Sequence, residues 1–232
     1  MKYQGILFDK DGTLLDFNQT WLPIYLYAAR EFADGDAALA ESLLTQHGFD
    51  SSNNKFISGS LLAAGNNQQI AQAWAAQIDK PDQVDAISQQ LHEIFHQQGA
   101  KQATPVKQLT STLRQLKQSG RKLGVATADS HQGIINTLQS FDVLHEFDFL
   151  AGYDSGHGVK PEAGMVLAFC TQVALEVESV VVVGDNRHDI EMGRNANAGL
   201  CVGVLTGTST RDDLETIADI VIDDISMLAE VI

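Results

Sequence analysis

Short runs of apolar, largely β-branched residues recur along the second half of the chain, with amphipathic segments between them. Because these runs are almost continuously apolar, they are typical of parallel strands that helices cover on both faces. Strands are predicted at residues 4–9, 122–127, 147–151, 180–184, 200–205 and 219–222. Helices are predicted at residues 106–119, 131–140, 162–175, 187–196, 211–217 and 226–231. This alternation predicts an α/β fold with a doubly wound, Rossmann-like parallel sheet.

Residues 17–100 have a different pattern, with apolar positions at helical spacing and no convincing strand. Trp21, Tyr25 and Phe32, for example, share one helical face. Breaks rich in Gly, Asn and Pro divide this segment into four predicted helices. We therefore expect an inserted all-helical domain at residues 17–100 and an α/β core domain formed by residues 1–16 and 101–232.

Composition and charge exclude several classes of partner and location. The sequence has 30 acidic residues against 15 Lys and Arg, a net charge of −15. Because nucleic acids and anionic membranes attract basic proteins, we expect neither as a partner. No apolar run approaches the roughly 18 residues of a membrane span, and the N-terminus has no signal-peptide pattern. Cys170 and Cys201 are expected in the core rather than in a disulfide framework. The sequence therefore predicts a soluble cytoplasmic protein.

Polar and charged residues cluster at the ends of the predicted core strands. Open α/β sheets place their active sites at the carboxyl ends of their strands, so residues at these positions are expected to meet in one site. The segments, in chain order, are Asp9-Lys10-Asp11-Gly12-Thr13, Thr127-Ala128-Asp129, Gly158-Val159-Lys160 and Asp185-Asn186-Arg187-His188-Asp189. Each signal is modest alone, but the four in this order are specific.

These residue types suit phosphoryl transfer. Asp9 and Asp11 stand two positions apart where a strand ends, so both carboxylates can face one pocket. Gly12 allows a tight turn there, and we expect its amide to be offered to an anion. Asp185 is placed to join Asp9 around a hard cation, for which oxygen ligands suit Mg²⁺. The donors for a transferring phosphoryl group would be the hydroxyl of Thr127 and the ammonium of Lys160.

The four segments resemble the signatures of the haloacid dehalogenase-like superfamily of phosphohydrolases, whose DxDGT signature stands here as Asp9 to Thr13. The resemblance covers the whole chain, because the helical insertion is similar to the cap domain that follows this signature in the family. Phosphoglycolate phosphatase-like and β-phosphoglucomutase-like members are the most similar. The resemblance implies a Mg²⁺-dependent phosphatase of a small phosphorylated metabolite, either phosphoglycolate-like or a sugar phosphate, with a cap that closes over the substrate. We expect a monomer or a homodimer.

The resemblance also implies a role for each matching residue. Asp9 is the expected nucleophile, which forms an aspartyl-phosphate, and Asp11 is the expected general acid and base. Thr127 and Lys160 are expected to be catalytic. Substrate binding is expected from Gly12, Thr127, Ala128 and Lys160. The expected metal ligands are Asp9, Asp11 through its backbone carbonyl, Asp185 and Asp189, with Asp189 acting through bound water or by holding Lys160.

Two features depart from the family pattern. Many phosphoglycolate phosphatase-like members have Asn and then Lys after the threonine, whereas this chain has Ala128 and Asp129. An acidic residue at that position disfavours phosphoglycolate as the substrate. The insertion also has only three basic residues with which to bind a second anionic group, namely Arg30, Lys55 and Lys80.

Three other functions share some of these features. A phospho-receiver domain would place its phosphorylated aspartate after the third strand, whereas Asp9 and Asp11 both follow the first. A sugar phosphomutase would form the same aspartyl-phosphate and differ in the group that accepts the phosphoryl group, which the cap decides by controlling access of water. A catalytically silent protein that binds a phosphometabolite on the same scaffold is the third alternative.

Two further signals have ordinary structural explanations. His92 and His96 match the H-E-x-x-H string of zinc proteases, but no third ligand follows in the expected arrangement, so we interpret them as surface residues. Asp154 precedes Lys160 in a loop and is expected to belong to a turn rather than to orient that lysine.

Overall fold

A six-stranded parallel sheet lies at the centre of the α/β part of the protein, in a computed structural model that describes residues 2–232. The strands of the described chain are β1 (Gly5–Phe8), β2 (Phe49–Asp50), β3 (Lys55–Phe56), β4 (Lys122–Ala126), β5 (Phe149–Ala151), β6 (Val180–Gly184), β7 (Leu200–Val204) and β8 (Ile220–Ile222). The large sheet has the order β5-β4-β1-β6-β7-β8, and β2 and β3 pair separately in antiparallel fashion. The first strand of the chain is therefore central, as a doubly wound sheet requires.

Helices connect the strands of the large sheet and form most of the insertion. They are α1 (Phe17–Phe32), α2 (Ala37–Thr45), α3 (Leu61–Ala64), α4 (Asn67–Gln77), α5 (Val84–Gln102), α6 (Leu109–Gln118), α7 (His131–Ser140), α8 (Gly164–Val173), α9 (Arg187–Asn195), α10 (Arg211–Glu215) and α11 (Leu228–Val231). Single 3₁₀ turns occur at Pro81–Gln83, Leu144–Glu146, Val177–Ser179 and Ile225–Met227.

Strand register brings the ends of three strands level with one another. Phe8 of β1 pairs with Val125 of β4 on one side and with Val183 of β6 on the other. Because the strands are parallel, the residues just beyond these three partners emerge at the same edge of the sheet. Asp9, Thr127 and Asp185 are among those residues.

The core lies on both faces of the sheet because neighbouring strand residues point in opposite directions. In β6, Val181 and Val183 pack on one face with residues of α6 and α7, whereas Val180 and Val182 pack on the other with residues of α8. All four valines are fully buried. This explains the uninterrupted apolar run, and the predicted α/β class is confirmed.

The structure corrects the prediction for the insertion. Five helices, α1 to α5, cover this region, and the short strands β2 and β3 form a hairpin between α2 and α3. The prediction of four helices and no strand was therefore wrong. Strands of two residues are too short to show a period-two pattern, and the hairpin is held by Phe49 and Phe56, whose ring centroids lie 5.6 Å apart.

The chain divides into two compact units. One comprises the chain up to Phe17 together with Thr104–Ile232, and the other is Asn18–Ala103. Within the second unit, Trp74 of α4 is fully buried and meets Phe32 of α1 edge-on, with ring centroids 5.6 Å apart. None of the helices in residues 2–232 has the length and apolar character that a bilayer crossing needs.

Candidate active site

A buried lysine joins two aspartates from distant parts of the chain. The Nζ atom of Lys160 lies 2.5 Å from Oδ1 of Asp9, which follows β1, and 2.5 Å from Oδ1 of Asp189, in α9. All three side chains are almost inaccessible to solvent. Burial of charged groups is costly unless they are paired, so this triad is a strongly constrained arrangement.

Asp189 is fixed on its other side by the start of α9. Its Oδ2 atom accepts a hydrogen bond of 3.1 Å from the backbone N–H of Asn186, the N-cap residue of that helix. The Asn186 side chain accepts in return from the first turn, which completes a capping box. The oxygens of Asp189 thus accept hydrogen bonds from Lys160 and from the helix cap, so this residue positions the lysine.

Asp185 follows β6 and is enclosed by backbone on two sides. A Cβ atom added to Gly12 or to Gly207 would overlap its carboxylate, so both positions require glycine for the close approach. Its Oδ2 atom accepts from the N–H of Thr208 at 3.2 Å, whereas its buried Oδ1 atom has no hydrogen-bond partner. An unpartnered buried carboxylate oxygen is unfavourable by itself and indicates a missing partner.

The cluster fits a divalent cation. Asp9, Asp185 and Asp189 each have a carboxylate oxygen within 4.8 Å of the other two. A donor set made only of oxygens suits a hard cation such as Mg²⁺, which tolerates few protein ligands and retains water. The unpartnered Oδ1 atom of Asp185 is the observation that favours a cation here rather than a purely structural ion-pair network.

Burial and charge shift the ionisation of these groups. Burial raises the pKa of Asp9 to about 7; the ammonium of Lys160 opposes this shift, and the carboxylate of Asp189 adds to it. Burial and the neighbouring Asp189 and Asp9 also raise the pKa of Asp185 well above its usual range. Burial disfavours the charged form of Lys160, but the two aspartates outweigh it and hold its pKa above the ordinary value. A bound cation would favour the ionised carboxylates.

A second lysine also joins two aspartates. The Nζ atom of Lys10 lies 2.8 Å from Oδ2 of Asp11 and 2.9 Å from Oδ2 of Asp129, which follows β4. The Lys10 side chain is only 4% exposed, against 18% for Asp11 and 36% for Asp129. The site therefore contains two Asp–Lys–Asp triads, one on each of the two aspartates of the DxD signature.

The structure shows where the other predicted site residues lie, and it corrects one prediction. Thr127 is buried at the end of β4, and its hydroxyl accepts from the N–H of Asp129 at 3.1 Å; Ala128 beside it is exposed. The prediction that the Gly12 amide is offered to an anion was wrong, because this N–H donates to the carbonyl of Leu15 at 2.8 Å. Gly12 has a positive φ of 93° and turns the chain against Asp185.

Two residues outside the site have local roles. Asp154 accepts from the N–H of His131 at 2.8 Å and so ties its loop to the start of α7, as expected of a turn residue. His92 and His96 are exposed, with ring centroids 6.3 Å apart, and within residues 2–232 they belong to no group of three potential metal ligands.

The family model of the haloacid dehalogenase-like hydrolases matches residues 6–202. The chain belongs to this family. The resemblance inferred from the four motifs is confirmed, and so is the prediction of a hydrolase of this family. The haloacid dehalogenase-like signature DxDGT, at Asp9 to Thr13, lies within the matched region.

Two relatives of similar sequence are named as phosphatases. The chain is 24% identical to N-acetylmuramic acid 6-phosphate phosphatase of Pseudomonas aeruginosa over 196 residues, which are 84% of this chain and 79% of the relative. It is 24% identical to pyrophosphatase PpaX of Bacillus cereus, over 84% of this chain and 81% of the relative.

Solved structures share the fold. A Haemophilus somnus protein described as a phosphoglycolate phosphatase has a TM-score of 0.78 at 19% identity, covering 100% of this chain and 98% of its own. A Thermotoga maritima protein described as a β-phosphoglucomutase has a TM-score of 0.72 at 18% identity, covering 99% of this chain and 100% of its own.

Sequence analysis of this hydrolase missed two parts of the site. The pairing of Lys10 with Asp129 was not expected, although the acidic residue at position 129 had been noted as a departure. The loop after β7 was not assigned any role, yet the Thr206 hydroxyl donates to the Gly12 carbonyl at 2.6 Å and Gly207 packs against Asp185. The Thr-Gly-Thr composition of that loop was the available signal.

Proposed function

We propose that this protein is a Mg²⁺-dependent phosphatase that hydrolyses a small phosphorylated metabolite through an aspartyl-phosphate on Asp9. The observation that carries the proposal is the buried cluster of Asp9, Asp185 and Asp189 around Lys160, with one Asp185 oxygen left without a partner. A nucleophilic carboxylate, a cation and hydrogen-bond donors for phosphoryl oxygens are the parts that phosphoryl transfer needs.

In the first half-reaction, a carboxylate oxygen of Asp9 attacks the phosphorus, and the bond from phosphorus to the leaving oxygen breaks. The carboxylic acid form of Asp11 gives its proton to that oxygen, which departs as an alcohol. The Thr127 hydroxyl and the Lys160 ammonium bind phosphoryl oxygens, with Ala128 lining the same strand end. Lys160 also keeps the Asp9 carboxylate in place while negative charge approaches it.

In the second half-reaction, Asp11 accepts a proton from water, whose oxygen attacks the same phosphorus. The bond from phosphorus to Asp9 breaks, inorganic phosphate leaves, and the proton is again on Asp11. Asp9, Asp185, the Asp11 backbone carbonyl and, indirectly, Asp189 would hold Mg²⁺. When bound, the metal supplies positive charge that offsets the repulsion between the Asp9 carboxylate and a phosphate dianion.

The charge around Asp11 favours a leaving group without a second anionic group. Asp129 stands near Asp11, and the ammonium between them, on Lys10, is already bound to both carboxylates. A glycolate carboxylate or a second phosphate in this region would be repelled by Asp129. We therefore favour a phosphorylated neutral sugar or polyol over phosphoglycolate or pyrophosphate, and also over a phosphorylated sugar acid such as the one in the name of the P. aeruginosa relative.

The test is release of inorganic phosphate from a panel of sugar and polyol phosphates, phosphoglycolate, pyrophosphate and p-nitrophenyl phosphate. Each compound is assayed with Mg²⁺ and with a chelator. The wild type is compared with Asp9→Asn, and Asp223→Asn is the matched control, because this exposed residue pairs with Arg211. We expect release that needs Mg²⁺, is lost in Asp9→Asn and is unchanged in Asp223→Asn.

Two results would contradict the proposal. Turnover by Asp9→Asn close to that of the wild type would remove Asp9 as nucleophile. Transfer of the phosphoryl group between hydroxyls of a sugar phosphate, without release of inorganic phosphate, would identify a mutase instead. Preferred hydrolysis of phosphoglycolate over every sugar phosphate would overturn the substrate class alone.

A further inference from the structure

The site contains two Asp–Lys–Asp triads. The triad of Lys160 includes the proposed nucleophile, Asp9, whereas the triad of Lys10 does not. Lys10 lies between Asp9 and Asp11 in the chain, yet its ammonium contacts Asp11 and Asp129. The side chain of Lys10 is at least as buried as that of Lys160. A buried ammonium needs compensation, so the presence of Lys10 at this position requires an explanation.

The backbone of Lys10 is rigidly held. Its carbonyl accepts hydrogen bonds from the N–H groups of Leu14 at 2.9 Å and Leu15 at 3.0 Å. Gly12, which lies between Lys10 and Leu14 in the chain, donates its N–H to the Leu15 carbonyl and closes the same turn. The ammonium of Lys10 therefore extends from a fixed origin toward the carboxylate of Asp11.

Asp129, at the far end of the triad, is anchored at several atoms. Its Oδ1 atom accepts from the N–H of Ser130 at 2.6 Å, and its own N–H donates to the Thr127 hydroxyl at 3.1 Å. Its carbonyl accepts from the N–H of Tyr153 at 3.0 Å. Gly133 packs so closely on the Asp129 carboxylate that a Cβ would overlap it. This leaves Oδ2 of Asp129 as a fixed acceptor for Lys10.

We propose that Lys10 and Asp129 form a positioning pair that holds Asp11 by its Oδ2 atom, so that the carboxyl group is oriented to exchange protons with the leaving group and with water. Asp129 fixes the ammonium of Lys10, and Lys10 fixes the carboxylate of Asp11. In this arrangement both residues act through Asp11. The inference rests on the proposed function, because it assigns the pair to the acid and base step of that reaction.

Leaving-group dependence distinguishes positioning from mere stabilisation. The ratio kcat/KM reports the steps up to phosphoryl transfer to Asp9, and p-nitrophenolate leaves without help from an acid. We expect Lys10→Met to lower kcat/KM roughly 100-fold for the alkyl phosphate that the wild type hydrolyses fastest. For p-nitrophenyl phosphate the loss should be under about 3-fold, because general-acid help is not needed. Asp129→Asn should show the same selective loss in weaker form.

A double variant tests the alternative that the triad of Lys10 only stabilises the fold. Lys10→Met removes the ammonium that joins the carboxylates of Asp11 and Asp129, and Asp129→Asn removes one of these two negative charges. Lys10→Met/Asp129→Asn should therefore regain thermal stability while the selective loss for the alkyl phosphate persists. Lys117→Met, which breaks the ion pair with Asp148 away from the site, is the control for stability without selectivity.

The double variant and Asp129→Asn can each give a result that overturns the positioning role. Recovery of alkyl phosphate turnover in the double variant, together with its stability, would mean that the triad only stabilises the fold. Equal losses for both substrates in Asp129→Asn would also overturn the positioning role. If the wild type releases phosphate from no ester in the panel, the proposed function itself has failed. If the wild type hydrolyses both esters but the variants show no selective loss, only the positioning role has failed.

Discussion

The ammonium of Lys160 lies 2.5 Å from a carboxylate oxygen of Asp9, a residue 151 positions earlier in the chain. The contact links the loop after β5 to the end of the central strand β1, and it is closed off from solvent. The same ammonium is 2.5 Å from Asp189, so a single lysine serves two buried acids. The stability of this corner of the fold and the reactivity of Asp9 therefore depend on one side chain.

Replacement of Lys160 by Met should impair both stability and turnover. The variant leaves Asp9 and Asp189 buried without their cation, so we expect the free energy of unfolding to fall by about 3–5 kcal/mol. Addition of Mg²⁺ should restore part of this loss, because the metal would supply the missing positive charge. Urea denaturation with and without Mg²⁺ measures both effects. An unchanged denaturation midpoint would show that the contact contributes nothing to folding.

Replacement of Gly207 by Ala should weaken metal binding. The added methyl group would overlap the carboxylate of Asp185 and displace it. Residues that orient metal ligands typically contribute 10–100-fold in affinity, so we expect a loss of at least about 10-fold for Mg²⁺ by calorimetric titration. Gly99→Ala is the control, because no atom lies near the added methyl group in α5. This control should gain about 0.5–1 kcal/mol of stability with unchanged Mg²⁺ affinity.

The ion pairs of Asp148 should stabilise the fold above mildly acidic pH. Partial burial raises the pKa of Asp148, but hydrogen bonds from Lys117, the Leu123 amide and Lys122 outweigh it and hold the pKa below its usual value. Because the folded pKa is lowered, the stabilisation is present above the unfolded pKa of about 4 and is lost as pH falls through the folded value.

The variant Lys117→Met reports this linkage. We expect it to be less stable than the wild type at pH 7 by about 0.2–1 kcal/mol, a modest value since both side chains are partly exposed. The difference should shrink toward pH 3, where Asp148 becomes protonated. Urea denaturation across this pH range gives the comparison, and a difference that stays constant with pH would contradict the assignment.

Both cysteines should be unreactive in the folded protein. Burial raises the pKa of Cys201 to about 11, with Arg194 acting in the opposite direction, and burial also raises the pKa of Cys170. Thiolates are the reactive species, so a disulfide reagent at pH 8 should modify neither thiol until the protein is denatured. Rapid modification of native protein at a rate insensitive to denaturant would show that a thiol is accessible.

Sequence patterns were sufficient for the strands of the sheet and for the residues at their ends. The apolar run at residues 180–184 corresponds to β6 with identical bounds, and the helix predicted at 131–140 is α7. These features are local, since burial on both faces of a strand requires an unbroken apolar run. The hairpin of β2 and β3 was not predicted, because two residues carry no measurable periodicity and the pairing depends on aromatic contacts.

The amino-acid sequence by itself determined the α/β class, the family and the order of the acidic, hydroxyl and lysine residues along the strand ends. Only the tertiary structure decided which charges pair. Lys10 bonds to Asp129, 119 positions away, and the amide of Gly12 is used within its own turn. The physical reason is that an ion pair depends on strand register and on the space left by glycines such as Gly133 beside Asp129 and Gly184 beside Asp189, which local patterns do not encode.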